Sequence, residues 1–575
     1  MEKQDEIEIK RHSLSHIMAA AVVEMFPEAK LGIGPAIENG FYYDFDLPRT
    51  LIPEDLPLIE EKMRKLIAQN QEFEKVEIPV NKALEKLHKN GGEYKADLVE
   101  ELKKEGVKTV TLYKTGNFVD LCKGPHIKST VDLKNVAFKL DKIAGAYWRG
   151  DEKNKMLQRI YAIAFSSKSQ LDEFLKNREE AEKRDHRKIG RELELFIFDN
   201  SAPGMPYWLP KGVTTYNTLL EFWRKEHKKR GYQEIKSPLL NKKELYEKSG
   251  HWEHYRKDMF ICETEEKETY GLKPMNCPNA IVVYNMRPRS YRELPLRFSD
   301  CDTLHRYELS GTLNGLFRVR EFTQDDSHNF IREDQIESEY KNIFEIVEKF
   351  YSVFDLEYSY RLGTRPDKFL GEAKTWDKAE SILKELLENS GKKFVVGDSE
   401  GAFYGPKIDI LMKDSLGRDW QMGTIQLDFQ LPERFDLKYI NENGKEKTPV
   451  IIHRVIYGSL ERFIGILTEH YAGAFPVWLA PVQTIVLPIS EKHIIYAEKV
   501  NLKLEEAGIR TELDETNETV GRKIRNAELK KIPYILIVGD KEIEADKVAL
   551  RRSGDGDKGQ VELKKVITEI LEQKN

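Results

Sequence analysis

The alternation of hydrophobic and polar positions changes its rhythm three times along the chain. From about residue 12 to 165, helical and strand-like stretches mix, and the closing run MLQRIYAIAF at 156–165 is apolar enough for a buried strand that ends a domain. Residues 171–192 then interleave acids and bases without an apolar stripe, the pattern of a solvated helix that connects domains. From there to about residue 475 the chain reads as strands with long inserted loops, punctuated by Gly, Pro and aromatic residues. Past FPVWLAP at 475–481 the rhythm becomes regular. It predicts a strand at 482–487, a helix to about 507, a strand near Arg510, a helix over 522–531, a strand at 534–538 and a last helix from Val561. Strands alternating with helices of about 10 to 15 residues predict a small α/β domain. The division expected from these shifts is 1–166, 167–190, 191–476 and 477–575, and no repeat with the period of a solenoid or propeller is apparent.

A chain of 575 residues agrees with several domains and needs no disulfide staples to bury a core. Its 92 basic and 98 acidic residues leave a net charge of −6, so a polyanionic partner has to be held by local patches rather than by a global field. In 477–575 the two signs nearly balance, so any nucleic acid bound there is read by specific contacts. With 40% hydrophobic and 33% charged residues, neither a disordered nor a collagen-like chain is tenable. The cysteines, Cys122, Cys262, Cys277 and Cys301, are too few and too irregularly spaced for a disulfide framework, which fits a reducing compartment. The charged amino terminus and the lack of a long apolar run predict a cytoplasmic or organellar-matrix protein rather than a membrane one.

The strongest chemical signal is LHRYE at 304–308, a nine-residue Gly-containing loop, and RVREF at 318–322. Two arginines and an aromatic on strands flanking a loop can grip phosphates bidentately and stack a purine. Alone, the same pair is more readily an edge hairpin with surface arginines. It has company: in RGYQEIKSPLL at 230–240 a helix ends at Gly231 and a strand is stopped by Pro238, and GSLER at 458–462 opens a helix with an arginine on its first turn. In this order the three segments resemble motifs 1, 2 and 3 of the class II aminoacyl-tRNA synthetases.

A second set bears on specificity. Cys277 in LKPMNCP, His328 in QDDSH and His453 in VIIH are each a possible zinc ligand, although any one of them is more readily an ordinary buried side chain and no CxxC spacing supports a metal. In the amino-terminal region HSLSH puts His12 and His16 on one helical face, and DLCKGPH adds Asp120, Cys122 and His126. Four such nitrogen and sulfur donors suggest, by themselves, a further zinc site. Segment for segment these sequences, with GFYYDF at 40–45, resemble the threonyl-tRNA synthetases, and the resemblance runs from His12 to the carboxyl terminus.

That resemblance implies an α+β multidomain protein: an α+β editing domain over 1–166, a linker helix over 167–190, a class II antiparallel-sheet catalytic domain over 191–476 and an α/β anticodon-binding domain over 477–575. It implies ATP-dependent attachment of L-threonine to tRNA(Thr) through threonyl-adenylate, and hydrolysis of mischarged seryl-tRNA(Thr). One zinc ion per subunit on Cys277, His328 and His453 would keep an open position, as a catalytic zinc requires. Valine is nearly isosteric with threonine, and an apolar pocket separates such a pair poorly, whereas a metal that takes the amine and the hydroxyl rejects valine. Serine lacks only a methyl, worth roughly 1–3 kcal/mol, so a second, hydrolytic sieve is called for.

Residue by residue, the resemblance implies that Arg306 bridges the ATP α-phosphate and the threonine carboxylate, Phe322 stacks adenine, Glu308 bonds its amino group, and Arg318 and Arg462 hold the γ-phosphate, with Mg²⁺ on the phosphates. Gln421 and Thr424 would complete the ATP site. Asp326, Gln324, Tyr404 and Gln426 would line the threonine pocket, and His251 would act as general base for transfer to the tRNA ribose. In editing, His12, His16, Lys95, Asp120, Cys122 and His126 would position water and the seryl ester. The family works there without a metal, whereas the related alanyl enzymes can hold zinc on the same four positions; the metal-free reading is the one expected, with zinc as its alternative. Asn517, Glu542 and Arg551 fall where the family reads anticodon bases, motif 1 implies a homodimer, and the location expected is cytoplasmic.

Two departures stand out. Bacterial members commonly begin with a ubiquitin-like domain, which is not expected here because the HSLSH helix opens at residue 12. After CP at 277–278 the family usually has Gly-His, where this chain has Asn279 and Ala280, leaving the packing behind Cys277 open. A class II synthetase of prolyl or seryl specificity and a non-catalytic paralogue are the competing readings. The Cys277, His328 and His453 set argues against the first, and the intact Arg306, Phe322 and Arg462 against the second.

Overall fold

The computed structural model describes residues 3–89 and 92–573. Residues 1–179 and 180–575 form two compact units.

In the first unit, the helix Lys3–Met25 buries Leu14, Ile17, Met18, Ala21 and Val22, spaced at helical intervals. They join a core with Phe41, Tyr43 and Phe45, alternate residues of the strand Gly40–Asp46, and with the helix Asp55–Ala68. The strand lies in an antiparallel sheet ordered Lys30–Leu31, Gly40–Asp46, Met156–Phe165, Ala137–Tyr147. The apolar run at 156–165 is thus a central strand. A smaller sheet of Phe73–Pro79, Thr109–Thr115 and Phe118–Leu121 stands beside the helices Val80–Lys89 and Glu93–Lys104.

The connector is not one solvated helix. It is two, Lys168–Lys183 and His186–Glu192, broken at Asp185, whose carboxylate accepts from the backbone N–H of Arg187. The first buries only Leu171, as its alternating charges predict; the second buries His186, Ile189 and Gly190.

The second unit is built on an eight-stranded sheet in the order Gln233–Glu234, Leu296–His305, Glu321–Ile331, Val450–Val455, Asp419–Asp428, Lys407–Lys413, Glu357–Gly363, Phe394–Gly397. Its outermost pairs are parallel and the rest antiparallel. The helices Ile336–Ser352 and Leu460–His470 bury Ile343, Val347, Phe350, Phe463 and Leu467 in the core shared with the sheet's Ile410, Ile425 and Ile452. The helix Pro210–Lys229 starts on a proline and ends just before Gly231, whose φ of +75° is left-handed. The strand expected after it is only Gln233–Glu234, because its sole pairing is a two-residue parallel contact with Leu296–His305. Arg306 and Arg318 likewise sit just off the strands rather than on them, since Leu296–His305 ends before the first and Glu321–Ile331 starts after the second.

The carboxyl-terminal part of this unit carries a five-stranded sheet ordered Thr511–Leu513, Thr484–Pro488, Tyr534–Val538, Val548–Arg552, Gly556–Val561. The first three are parallel and separated by the helices Ile494–Glu506 and Val520–Leu529, which is the α/β alternation expected. The antiparallel hairpin of the last two strands and the short helix Asp540–Ala545 are additional.

Candidate active site

Register brings the first set together. Gln426, His453 and His328 pair directly across three adjacent strands, and because strand side chains alternate, all three project from one face of the sheet. Cys277 meets them from the first turn of the helix Cys277–Tyr284. The ligand atoms of Cys277, His328 and His453 lie within 4.8 Å of one another, and all three residues are buried. His453 Nε2 is held at 2.9 Å from Asp428 Oδ2, and His328 Nδ1 lies 3.3 Å from Asp300 Oδ1. Among the described residues, His453 Nδ1 and both ring nitrogens of His328 have no hydrogen-bond partner. Buried nitrogens are seldom left so. One thiol and two imidazoles, each ring backed by a carboxylate, is a donor set that fits zinc.

The electrostatics agree with such a set. Burial pushes the Cys277 thiol up, but the facing His453 and His328 outweigh it and hold it below an ordinary thiol. Burial opposes charge on His453 as well, yet Cys277 and Asp428 lift it to about 9.

Around this centre, the Tyr404 hydroxyl donates to Gln426 Oε1 and its ring lies 5.3 Å from that of His453. Tyr404 sits in the turn between Ala402 and Gly405 with its side chain buried. Asp326 accepts from Asn276 Nδ2 at 3.2 Å. His251 is fully buried, with Nδ1 at 2.8 Å from Ser249 Oγ and Nε2 at 3.1 Å from Met275 Sδ; burial first, then His453 and Arg306, lowers it to about 3.

Next to it is a cavity of about 290 Å³ lined by Arg306, Glu308, Phe322, Gln324, Thr424 and Arg462 among others. The Arg306 guanidinium lies 5.0 Å over the Phe322 ring, and Glu308 is paired with Arg318 at 2.8 Å. Arg462 donates through Nε to Phe317 O at 2.9 Å. Burial, then Arg318 and Arg306, makes its charge harder to keep, so the cavity concentrates positive charge that suits a polyanion. Gln421 Nε2 and Thr424 Oγ1 donate to one oxygen of the buried Asp409 at 2.9 and 3.0 Å. Arg361 and Lys407 pair with that carboxylate's other oxygen.

The first unit holds its own cluster. His12, His16, Cys122 and His126 put their ligand atoms within 4.8 Å of one another, with His12 Nε2 at 3.2 Å and His126 Nε2 at 3.4 Å from Cys122 Sγ. Burial lowers His12, lowers His16 far more, takes His126 to about 2 and raises the Cys122 thiol, so the group is neutral near pH 7. Behind it Asp120 accepts from Tyr43 OH at 2.5 Å and pairs with Lys95 Nζ at 2.9 Å. Cavities open on two sides, one of about 430 Å³ at His12 and one of about 590 Å³ at Lys95 and Asp120.

Comparison with known proteins decides the family. Residues 260–471 match the tRNA synthetase class II core domain (G, H, P, S and T), 483–573 an anticodon binding domain, and 110–161 the threonyl and alanyl tRNA synthetase second additional domain. The threonine–tRNA ligase of Acetivibrio thermocellus is 52% identical over 98% of this chain and 88% of its own length. That of Caldanaerobacter subterraneus subsp. tengcongensis is 53% identical over 98% and 86%. The chain belongs to the threonine–tRNA ligase family. Among solved structures, the RNA binding domain of threonyl-tRNA synthetase from Cryptosporidium parvum Iowa II superposes with a TM-score of 0.66 at 42% identity, covering 68% of this chain and 98% of that one.

For a threonine–tRNA ligase, the residues expected at the anticodon have unequal surroundings. Asn517 is exposed ahead of the helix Val520–Leu529, and Arg551 pairs with Glu528 at 3.0 Å. Glu542 is buried, accepting from Gly539 N and from Gln560 Nε2 at 2.7 Å. At 279–280, Asn279 Nδ2 donates to Asn241 Oδ1 at 3.0 Å while its own Oδ1 has no partner among the described residues, and Ala280 is fully buried.

Several residues that tie these elements together carry no signal in the sequence. Asp325 accepts from the backbone N–H groups of Ile456, Tyr457 and Gly458, tying the strand Glu321–Ile331 to the turn before the helix Leu460–His470. Glu461 does the same through Thr323 N at 2.9 Å. Lys273, fully buried, pairs with Asp302 at 2.8 Å. A lone acid or lysine reads as a solvated residue until the fold surrounds it.

Proposed function

We propose that the chain activates L-threonine with ATP, transfers it to tRNA(Thr), and hydrolyses mischarged seryl-tRNA(Thr) in the unit of residues 1–179. The observation that carries this is the buried Cys277, His328 and His453 set standing beside an arginine-lined cavity, in a member of the threonine–tRNA ligase family.

In this reading ATP lies in the cavity with adenine on Phe322, in the place Arg306 covers, and with Glu308 released from Arg318 to meet its amino group. Arg306 then lies between the α-phosphate and the threonine carboxylate and neutralises the charge that builds as they join. Arg318 and Arg462 hold the γ-phosphate, Mg²⁺ accompanies the phosphates, and Gln421 and Thr424, fixed on Asp409, shape the floor. Zinc held by Cys277, His328 and His453 would supply a Lewis-acid site for the amine and hydroxyl of threonine. Asp326, Gln324, Tyr404 and Gln426 wall that pocket. His251 is the proposed base for transfer, its basicity lowered by burial in the closed pocket.

For editing, His12, His16, Cys122 and His126 stand close enough together to position water and the seryl ester by hydrogen bonds, the metal-free reading. Lys95 and Asp120 complete that site. Asn517, Glu542 and Arg551 are the proposed anticodon contacts, Glu542 by exchanging Gln560 for a base edge. The enzyme is proposed to be a cytoplasmic homodimer; no helix among the described residues is long and apolar enough to cross a membrane.

The test is amino-acid-dependent pyrophosphate exchange with threonine, serine and valine, on protein of known zinc content and on Cys277→Ala. Threonine activity with weaker serine and negligible valine activity, lost in the variant, is expected. No exchange with any of the three on zinc-replete protein would leave a non-catalytic tRNA-binding role in its place.

A further inference from the structure

One fully buried histidine has no role in anything described above. His186 opens the second helix of the connector and is 1% exposed. Its Nδ1 lies 2.7 Å from Glu469 Oε1, which also accepts from the backbone N–H of His186 at 3.0 Å. A carboxylate only accepts, so Nδ1 carries the proton and Nε2 is left as an acceptor. Leu316 N–H donates to it at 2.9 Å. The other Glu469 oxygen takes Arg418, which is itself anchored on Asp414. Asp185, His186 and Glu469 have the donor types of a metal site, but both ring nitrogens already have partners.

The segment that His186 grips lies between Arg306 and Phe322. Its ring packs on Phe317 at 4.1 Å between centroids. Gly315, at φ +49°, comes so close that a Cβ there would stand 2.2 Å from His186 Nε2. The Phe317 carbonyl, one residue beyond Leu316, receives Arg462 Nε at 2.9 Å, and both Phe317 and Arg462 line the cavity. An unbroken line of contacts therefore runs from Glu469 through His186 and the backbone of 316–317 to the Arg462 guanidinium.

We propose that His186 is a positioning residue for ATP: by holding Leu316 it fixes the Phe317 carbonyl that aims Arg462 into the cavity. The inference rests on the reading of Arg462 as a phosphate ligand. It assigns a part in nucleotide binding to a helix whose sequence looks like a connector.

Threonine-dependent pyrophosphate exchange on the full chain, with unfolding midpoints measured in parallel, tests it with four variants. His186→Asn keeps a donor for Glu469 but falls short of Leu316, whereas His186→Gln places a carbonyl near the Nε2 position. Losing the acceptor for a buried N–H is expected to raise the KM for ATP about tenfold in His186→Asn. The KM for threonine is expected to stay unchanged, and His186→Gln to recover most of the loss. Gly315→Ala, which pushes the loop off an intact His186, is expected to give the same ATP-selective defect. An unchanged KM for ATP in both His186→Asn and Gly315→Ala, while Arg462→Ala raises it, would overturn the inference alone. So would a parallel rise for ATP and threonine with a lowered unfolding midpoint and no rescue by Gln. Normal ATP binding by Arg462→Ala would instead overturn the reading beneath it, and the inference with it.

Discussion

His328 and His453 stand opposite each other on neighbouring antiparallel strands, their ring centroids 5.0 Å apart and their planes at 87°. Asp428 Oδ2 holds His453 Nε2 at 2.9 Å, and Asp300 Oδ1 lies 3.3 Å from His328 Nδ1.

Asp428→Asn is therefore expected to weaken metal retention without touching a ligand. It removes the acceptor for His453 Nε2 while keeping an oxygen for the Gln430 and Leu431 N–H groups. Zinc affinity is expected to fall about 10- to 100-fold, measured by competition with a chromogenic chelator. Unchanged affinity would mean that Asp428 does not orient the ring.

Removing zinc is expected to separate the two proposed activities. Dialysis against a chelator is expected to abolish threonine-dependent exchange, to spare seryl-tRNA hydrolysis, and to be reversed by added zinc. Loss of both activities would show that His12, His16, Cys122 and His126 also depend on a metal.

Glu461 makes stability depend on pH. Burial pushes its carboxyl up from 4.5 to about 8. The folded state thus keeps a proton that the unfolded state has released, and the contribution, whole below pH 4.5, is lost as pH rises through 8. Glu461→Gln has no proton to lose, so its unfolding midpoint is expected to gain on the parent's steadily between pH 5 and 8 and to level off beyond. A constant gap across that range would contradict the shift.

Lys95→Met is expected to destabilise the first unit by about 3 kcal/mol, because it strips the cation from the buried Asp120. Adding Asp120→Asn removes the stranded charge and is expected to recover part of the loss. An unfolding transition unmoved by Lys95→Met would show that Tyr43 and solvent compensate the carboxylate unaided.

Much of this was legible in the sequence wherever a local pattern and the tertiary environment agree. MLQRIYAIAF at 156–165 reads as a strand and is one at those bounds. YILIV at 534–538 is a strand at those bounds, and HSLSH lies on a helix as its spacing requires. What escaped reading is burial imposed from a distance. His186 belongs to a stretch whose charges alternate like those of a solvent helix, and residues far along the chain, Leu316, Phe317 and Glu469 among them, enclose it. The hairpin of Val548–Arg552 and Gly556–Val561 is mostly polar, because one of its strands is a sheet edge with little to bury. Asp325 and Glu461 look like surface acids until the backbone N–H groups they cap are brought to them.

Gln426, His453 and His328 share one row of the sheet, and that row makes the protein unforgiving of insertions. Deleting a single residue inside Val450–Val455 would turn Ile452 or Arg454 toward Cys277 and put His453 on the opposite face. A deletion of two would restore the facing but move the imidazole by roughly 7 Å along the strand, beyond reach of its partners. Length can drift in the exposed turn at 441–445, which carries no site residue. Within the three strands the count of residues is itself part of the arrangement that faces Cys277, and a change of length there would cost more than most point substitutions.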